Sequence, residues 1–110
     1  MEYDPHEAIG YIYTTAPQYA KAKGQLAQLE AYKHSLRAIK MKQSNEQTVT
    51  AQEREAYASP QYKNHCKQIA EATFEAELLK LKIKCAELRW ETWRTQQANE
   101  RQFDKMIRNQ

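Results

Sequence analysis

The side chains best suited to bind a ligand are four cations near the middle of the chain. Lys33, Arg37 and Lys40 are spaced i, i+4 and i+7, which places them on one face of a helix, and Lys42 follows shortly after. Cations spaced in this way can neutralise successive phosphates of a nucleic-acid backbone and release its counterions. Tyr32 could add an aromatic face on which a base stacks, as in proteins that bind single strands.

A plainer interpretation of the same cations stays open. They lie close to the predicted end of a helix, and cations favour a helix C-terminus because they oppose the negative end of its dipole. In that case the four side chains only solubilise a helical bundle.

No comparable pattern indicates catalysis or metal binding. His6, His34 and His65 are scattered, with no nucleophile motif, Gly-rich phosphate loop or metal-spaced cluster near them. Cys66 and Cys85 are nineteen residues apart, which is not a metal-ligand spacing, and are expected to be reduced thiols. We therefore expect a protein that is not an enzyme and that needs no metal or cofactor.

The elements that position these residues are expected to be helices alone. Two Gly and three Pro in 110 residues are too few for a sheet built on tight turns, so the composition predicts an all-α fold. The net charge of +3 is too mild to indicate nucleic acid without support from local charge. No apolar run could span a bilayer and the first residues lack a signal-peptide pattern, so we expect a cytoplasmic protein without a membrane partner.

Capping signals divide the expected single helical domain, residues 1–110, into segments. Asp4 with Pro5 begins a helix, Thr15 begins the next just before Pro17, and Thr50 and Ser59 are the later caps. The two long helices are expected to pair as an antiparallel hairpin because their linker is short. The segments are a short helix within 1–16, a long helix over 17–43, a flexible polar loop and short helix over 44–59, and a very long helix over 60–108.

The last helix carries a long apolar seam with alternating spacings of three and four residues. This heptad spacing keeps one stripe of a helix against a partner helix. The first long helix has a matching stripe in Leu26, Leu29, Tyr32, Leu36 and Ile39. The seam consists of Tyr62, His65, Ile69, Ala72, Ala76, Leu79, Ile83, Ala86, Trp90 and Trp93.

A second apolar stripe on the same helix predicts self-association. At about 100° per residue, its mean direction is roughly 140° away from that of the seam. The remaining chain supplies only one long helix, so the second stripe needs another copy or another protein, and either stripe could be the outer one. The expected interface residues are Phe74, Leu78, Leu81, Cys85 and Leu88 of the second stripe, with Trp90 and Trp93 of the seam.

The layout resembles that of phage recombination mediators of the UvsY type. The resemblance is carried by the basic helix end Leu36–Lys42, the stretch Thr48–Glu55 and the helix segment Leu78–Arg89. Small phage proteins share the Glu-Arg-Glu-Ala-Tyr-Ala-Ser-Pro-Gln-Tyr stretch at 53–62. The chain departs from the family at its ends, because it is short and its C-terminal tail is more polar and more charged.

The resemblance implies a function in phage DNA recombination and replication. Members of the family are helical, assemble into rings, bind single-stranded DNA and help load a RecA-like recombinase. Residues near the end of the first long helix contact the DNA, which here would be Lys40 and Lys42. The implied partners are single-stranded DNA, further copies of the chain, a RecA-like recombinase and a single-strand-binding protein, in the cytoplasm of an infected bacterium. The rival hypothesis is a protein-only helical adaptor or assembly factor.

Overall fold

The computed structural model describes residues 2–109, and within this range the protein consists of three α-helices. Helix α1 covers Pro5–Gln43, α2 covers Val49–Ala58 and α3 covers Pro60–Arg108. The predicted all-α class is confirmed. No helix among residues 2–109 combines the length and the apolar character needed to cross a lipid bilayer.

Helix α1 continues through Pro17, which corrects the expected break between residues 16 and 17. Asp4 caps its start as predicted, because Asp4 Oδ1 accepts a hydrogen bond of 2.9 Å from the His6 amide. Inside the helix, Pro17 lacks an amide hydrogen and so leaves the carbonyl of Tyr13 without its usual donor. The helix continues in spite of a local cost of about 3 kcal/mol for a proline in its interior.

The caps of α2 differ from the prediction at one end. Thr48, not Thr50, begins the helix: Thr48 Oγ1 accepts a hydrogen bond of 3.1 Å from the Ala51 amide. Ser59 then serves two helices at once. Its hydroxyl donates to the Ala56 carbonyl oxygen at the end of α2, over 2.7 Å, and accepts from the Tyr62 amide at the start of α3, over 3.2 Å.

The chain forms two compact units, each containing one segment of α1 and one of α3. Unit 1 contains residues 2–18 and 79–109. There the two segments run antiparallel, because Tyr3 faces Trp93 while Thr14 and Gln18 border a groove with Leu79. The buried and half-buried positions are Pro5, Ala8, Ile12 and Thr15 on α1, and Leu79, Ile83, Ala86, Trp90, Trp93 and Gln97 on α3.

Unit 2 contains Tyr19–Leu78, and its α1 and α3 segments are joined through α2. The α3 residues expected in the seam are covered here too, with His65 and Ala76 buried. On α1, however, Tyr32 and Ile39 are exposed, and Lys33 and Lys40 take the half-buried positions beside them. The aliphatic stems of lysines can line an apolar seam while the ammonium groups stay in water. The covered stripe of α1 therefore includes Lys33 in place of Tyr32, and Lys40 in place of Ile39.

Candidate functional site

The predicted DNA-binding residues all lie at the C-terminal end of α1, in unit 2, but not on one surface. Lys33, Arg37 and Lys40 are half-buried on the side of α1 that carries its covered positions. Lys42 is exposed, and at about 100° per residue it points roughly 200° away from Lys40. The structure thus groups three of the four cations and separates the fourth.

Arg37 is engaged by the protein itself. Its Nη1 donates a hydrogen bond of 2.9 Å to the hydroxyl oxygen of Tyr57, and its guanidinium carbon lies 5.9 Å from the centre of the Tyr57 ring. This hydrogen bond is the main reason that the pKa of Arg37 is raised above its ordinary value. Arg37 Nε is shielded from solvent and has no hydrogen-bond partner within residues 2–109. Arg37 therefore joins α1 to α2 more than it offers a free charge to a ligand.

An aromatic pair continues from this contact to the first turn of α3. The rings of Tyr57 and Tyr62 meet edge to face, with their centres 5.2 Å apart. Burial raises the pKa of Tyr62, and nearby Cys66 adds to the effect. Together with Arg37, the two tyrosines hold α1, α2 and α3 against one another at this end of unit 2.

The polar connection between α1 and α2 is fastened by hydrogen bonds, which differs from the flexible loop expected there. Ser44 Oγ donates to Glu55 Oε2 over 2.7 Å and accepts from the Glu46 amide over 3.1 Å. Gln52 Nε2 also donates to the carbonyl oxygen of Glu46, over 3.0 Å. Glu55 therefore has a partner within the chain, which the sequence did not indicate.

An outer row of α1 combines cations, amides and an aromatic ring without a carboxylate. Lys21 and Lys42 stand at its two ends, and Tyr32, which is 50% exposed, lies between them. Positions spaced alternately by four and three residues lie along one side of a helix. Lys42 and Tyr32 were each expected near a nucleic acid from the sequence, and the structure shows that they belong to one row. The row consists of Lys21, Gln25, Gln28, Tyr32, Ser35, Ile39 and Lys42.

The positive charge of this α1 segment is larger than the net charge of the chain suggests. Between Tyr19 and Gln43 there are six Lys and Arg side chains and one carboxylate, Glu30. Lys21, Lys23 and Lys42 are exposed along with Glu30. The four predicted cations are thus part of a longer basic segment.

The second apolar stripe of α3 is the one left exposed, which answers the question that the sequence left open. Phe74 is 70% exposed, Leu81 54% and Leu88 52%, while Leu78 and Cys85 are exposed as well. Trp90 and Trp93 belong instead to the covered seam of unit 1. Trp93 lies 6.2 Å from Tyr3 between ring centres, and Arg94 lies over the ring of Trp90 at 4.9 Å.

The three histidines lie in different surroundings, because His6 and His34 are exposed and His65 is not. His65 is buried, and its Nε2 lies 2.6 Å from the main-chain carbonyl oxygen of Leu29. Across the described residues, no group of three or more His, Cys, Asp or Glu side chains could hold a metal ion.

Comparisons with protein-family models, curated proteins and solved structures gave no match. Nothing in them identifies the chain as a UvsY-type mediator.

Proposed function

We propose that this chain is a non-enzymatic helical accessory protein that associates with copies of itself and binds single-stranded DNA along the basic segment of α1. The observation that carries the proposal is the outer row from Lys21 to Lys42, with Tyr32 exposed between its lysines. Lysines and amides can follow a phosphate backbone, and an exposed tyrosine ring can stack on any base. Such a surface favours single strands and carries little sequence preference.

The half-buried lysines lie on a second face of α1, roughly 100° around the helix from Tyr32 and Ile39. Lys33 and Lys40 lie at the edge of the seam, where their stems are covered and their ammonium groups can reach water. Arg37 is a weaker candidate for a phosphate contact, because Tyr57 already accepts its hydrogen bond. We therefore assign phosphate binding to Lys21 and Lys42 of the outer row, and to Lys33 and Lys40 at the edge of the seam.

Self-association matters because one chain offers few cations. Copies of the chain would repeat the basic segment, and linked copies bind a strand more tightly than one copy through multivalency. The exposed stripe Phe74–Leu88 supports this part of the proposal. Following the UvsY-type resemblance, we extend the proposed role to loading a RecA-like recombinase onto single strands covered by a single-strand-binding protein.

The test is the retention of a labelled single-stranded oligonucleotide across a range of salt concentrations. The variant Lys40→Ala/Lys42→Ala should bind more weakly, and the slope of log K against log salt should flatten by about 1.4, which is about 0.7 for each lost phosphate contact. The matched control is Lys63→Ala/Lys67→Ala, which removes the same charge from exposed positions on α3. Equal weakening of both variants would show that only net charge matters.

A second variant separates stacking from charge. Tyr32→Ala should weaken binding by about 1–3 kcal/mol without changing the salt slope, because it removes a stacking surface and no cation. Since the ring of Tyr32 also meets the buried ring of His65, urea denaturation of the variant checks that binding is measured on folded protein. Tyr13→Ala, at another exposed tyrosine, is the control.

The rival function is a protein-only adaptor, and the exposed apolar stripe of α3 is the observation that favours it. A parent protein that does not retain single strands even at low salt would support this rival.

A further inference from the structure

The exposed stripe of α3 has the spacing and the flanking charges of a coiled-coil surface. Phe74, Leu78, Leu81, Cys85 and Leu88 are separated by four, three, four and three residues, and all are exposed. Helix α3 is unbroken from Pro60 to Arg108, so these residues form a single row on it. The row lies on the side of α3 away from the covered seam.

Charged residues border the row on both sides. One border carries Glu75, Lys82 and Arg89, and the other carries Glu77, Lys84 and Glu91. All six are exposed. Glu75, next to Phe74, and Glu77, next to Leu78, are acidic. The residues seven positions later on the same borders, Lys82 and Lys84, are basic. In coiled coils such bordering residues choose the partner and its orientation.

We propose that the row is the interface with a second copy of this chain, whose α3 lies antiparallel to the first. In this pairing Leu78 packs on Leu81 of the partner subunit, and Phe74 packs on Cys85 of the partner subunit. Glu75 then faces the partner's Lys82, and Glu77 faces the partner's Lys84. Because a two-fold axis repeats every contact, the interface holds four pairs of opposite charge.

The other pairings of the same row bring like charges together. An antiparallel pairing shifted by one heptad places Leu78 on the partner's Leu88. It then sets Glu77 against the partner's Glu91, and Lys82 and Lys84 each against its own copy, which outweighs the one favourable contact of Glu75 with the partner's Arg89. A parallel pairing in register sets Glu77 against the partner's Lys82 but Lys84 against the partner's Arg89, so its two pairs of opposite charge are cancelled by two pairs of like charge. Like charges across an interface disfavour a pairing, so the borders select the first arrangement.

This inference rests on the self-association in the proposed function and is independent of DNA binding. The partner is a second copy of the chain, and the charged residues on the two borders select it. The experiments below therefore use the protein without DNA.

The charge assignment is tested with two variants of opposite sign. At the four positions that pair across the interface (75, 77, 82 and 84), Glu75→Lys/Glu77→Lys has only lysines and Lys82→Glu/Lys84→Glu has only glutamates. Each should be monomeric by light scattering at concentrations where the parent associates, because every pair becomes repulsive. An equimolar mixture should associate again, with at least a tenfold recovery of affinity, since each mixed pair is of opposite charge. Circular dichroism of each variant checks that its helices are intact.

The orientation is tested by disulfide formation. In a Cys66→Ser background, Phe74→Cys should form a disulfide with Cys85 of the partner subunit on mild oxidation, as identified by peptide mass mapping. A disulfide between the two copies of Cys85 would indicate the parallel pairing and overturn the proposal.

The remaining outcomes separate this interface from the function. A monomeric parent would refute both this interface and self-association in the proposed function. A parent that associates, with both charge variants associating equally well, would overturn this interface alone. A parent that associates but does not bind the oligonucleotide would contradict only the DNA-binding part.

Discussion

His65 donates a hydrogen bond from Nε2 to the main-chain carbonyl oxygen of Leu29, 2.6 Å away, across a separation of 36 residues. The same imidazole meets the ring of Tyr32 edge to face, with centres 5.4 Å apart. A polar group buried in an otherwise apolar seam fits well at one register only, because any slip leaves it without a partner. His65 therefore fixes how α3 pairs with α1 in unit 2.

Replacement of His65 by Ala should lower the free energy of unfolding by about 1–3 kcal/mol. The change removes the hydrogen bond to Leu29 and leaves space in the seam. His34, which is exposed on α1, provides the control: His34→Ala should change stability by less than about 0.5 kcal/mol. Urea denaturation of both variants checks the prediction, and equal effects would contradict it.

Stability should fall at alkaline pH because of Tyr62. Burial raises the pKa of its hydroxyl in the folded protein, so the unfolded chain releases this proton first as the pH rises. The contribution is fully present below a pH of about 10, the ordinary pKa of tyrosine, and is lost as the pH rises through the raised pKa of Tyr62. Denaturation between pH 8 and 11 measures the decline, which should be smaller in Tyr62→Phe. An equally steep decline in that variant would assign it to other groups.

Mutation should confirm Thr48 as the N-cap residue of α2. Thr48→Ala removes the acceptor for the Ala51 amide and should destabilise the protein by about 1 kcal/mol. Thr50→Ala, two residues later, should be nearly neutral because Thr50 is exposed and lies inside the helix. Thermal unfolding of the two variants compares them directly, and a larger loss for Thr50→Ala would restore the cap expected from the sequence.

Helix α1 should be stabilised by Gly24→Ala. A methyl group at Gly24 would meet no atom within 4 Å, so the glycine does not serve a close helix crossing. Alanine is favoured over glycine inside a helix by about 1 kcal/mol, and that gain should appear in full. A calorimetric melting temperature at or below that of the parent would show that Gly24 has a role in the folded state.

The seam of α3 could be predicted from the sequence because spacing alone determines it. Each predicted member from Tyr62 to Trp93 is buried or half-buried, and the end of α3 at Arg108 agrees with the expected one. The seam of α1 could be predicted only in part. At Tyr32 and Ile39 the prediction followed the more apolar residue, whereas the regular spacing continues through Lys33 and Lys40. The aliphatic stems of lysines are apolar enough to fill these positions. A prediction based on residue hydrophobicity treats lysine as polar and so leaves Lys33 and Lys40 out of the seam.

The features that the sequence missed depend on contacts between distant residues. A proline usually ends a helix, and only the structure shows that α1 continues through Pro17. Arg37 was expected to be a free cation, and its hydrogen bond to Tyr57 depends on where α2 lies. Likewise, no local pattern indicates that Ser44 bonds Glu55 and so restrains the connection between them.

The contacts of unit 2 have a consequence for the order in which the chain folds. Arg37 and Tyr57 are 20 residues apart and Ser44 and Glu55 only 11, whereas Tyr3 of unit 1 meets Trp93, a separation of 90 residues (93 minus 3). Closing the longer loop first would cost about 1.3 kcal/mol more than closing the 20-residue loop, from the logarithm of their lengths. We therefore expect unit 2 to fold first and unit 1 to fold after it. Pulsed hydrogen exchange during refolding should show amides of residues 29–65 protected before those near Tyr3 and Trp93.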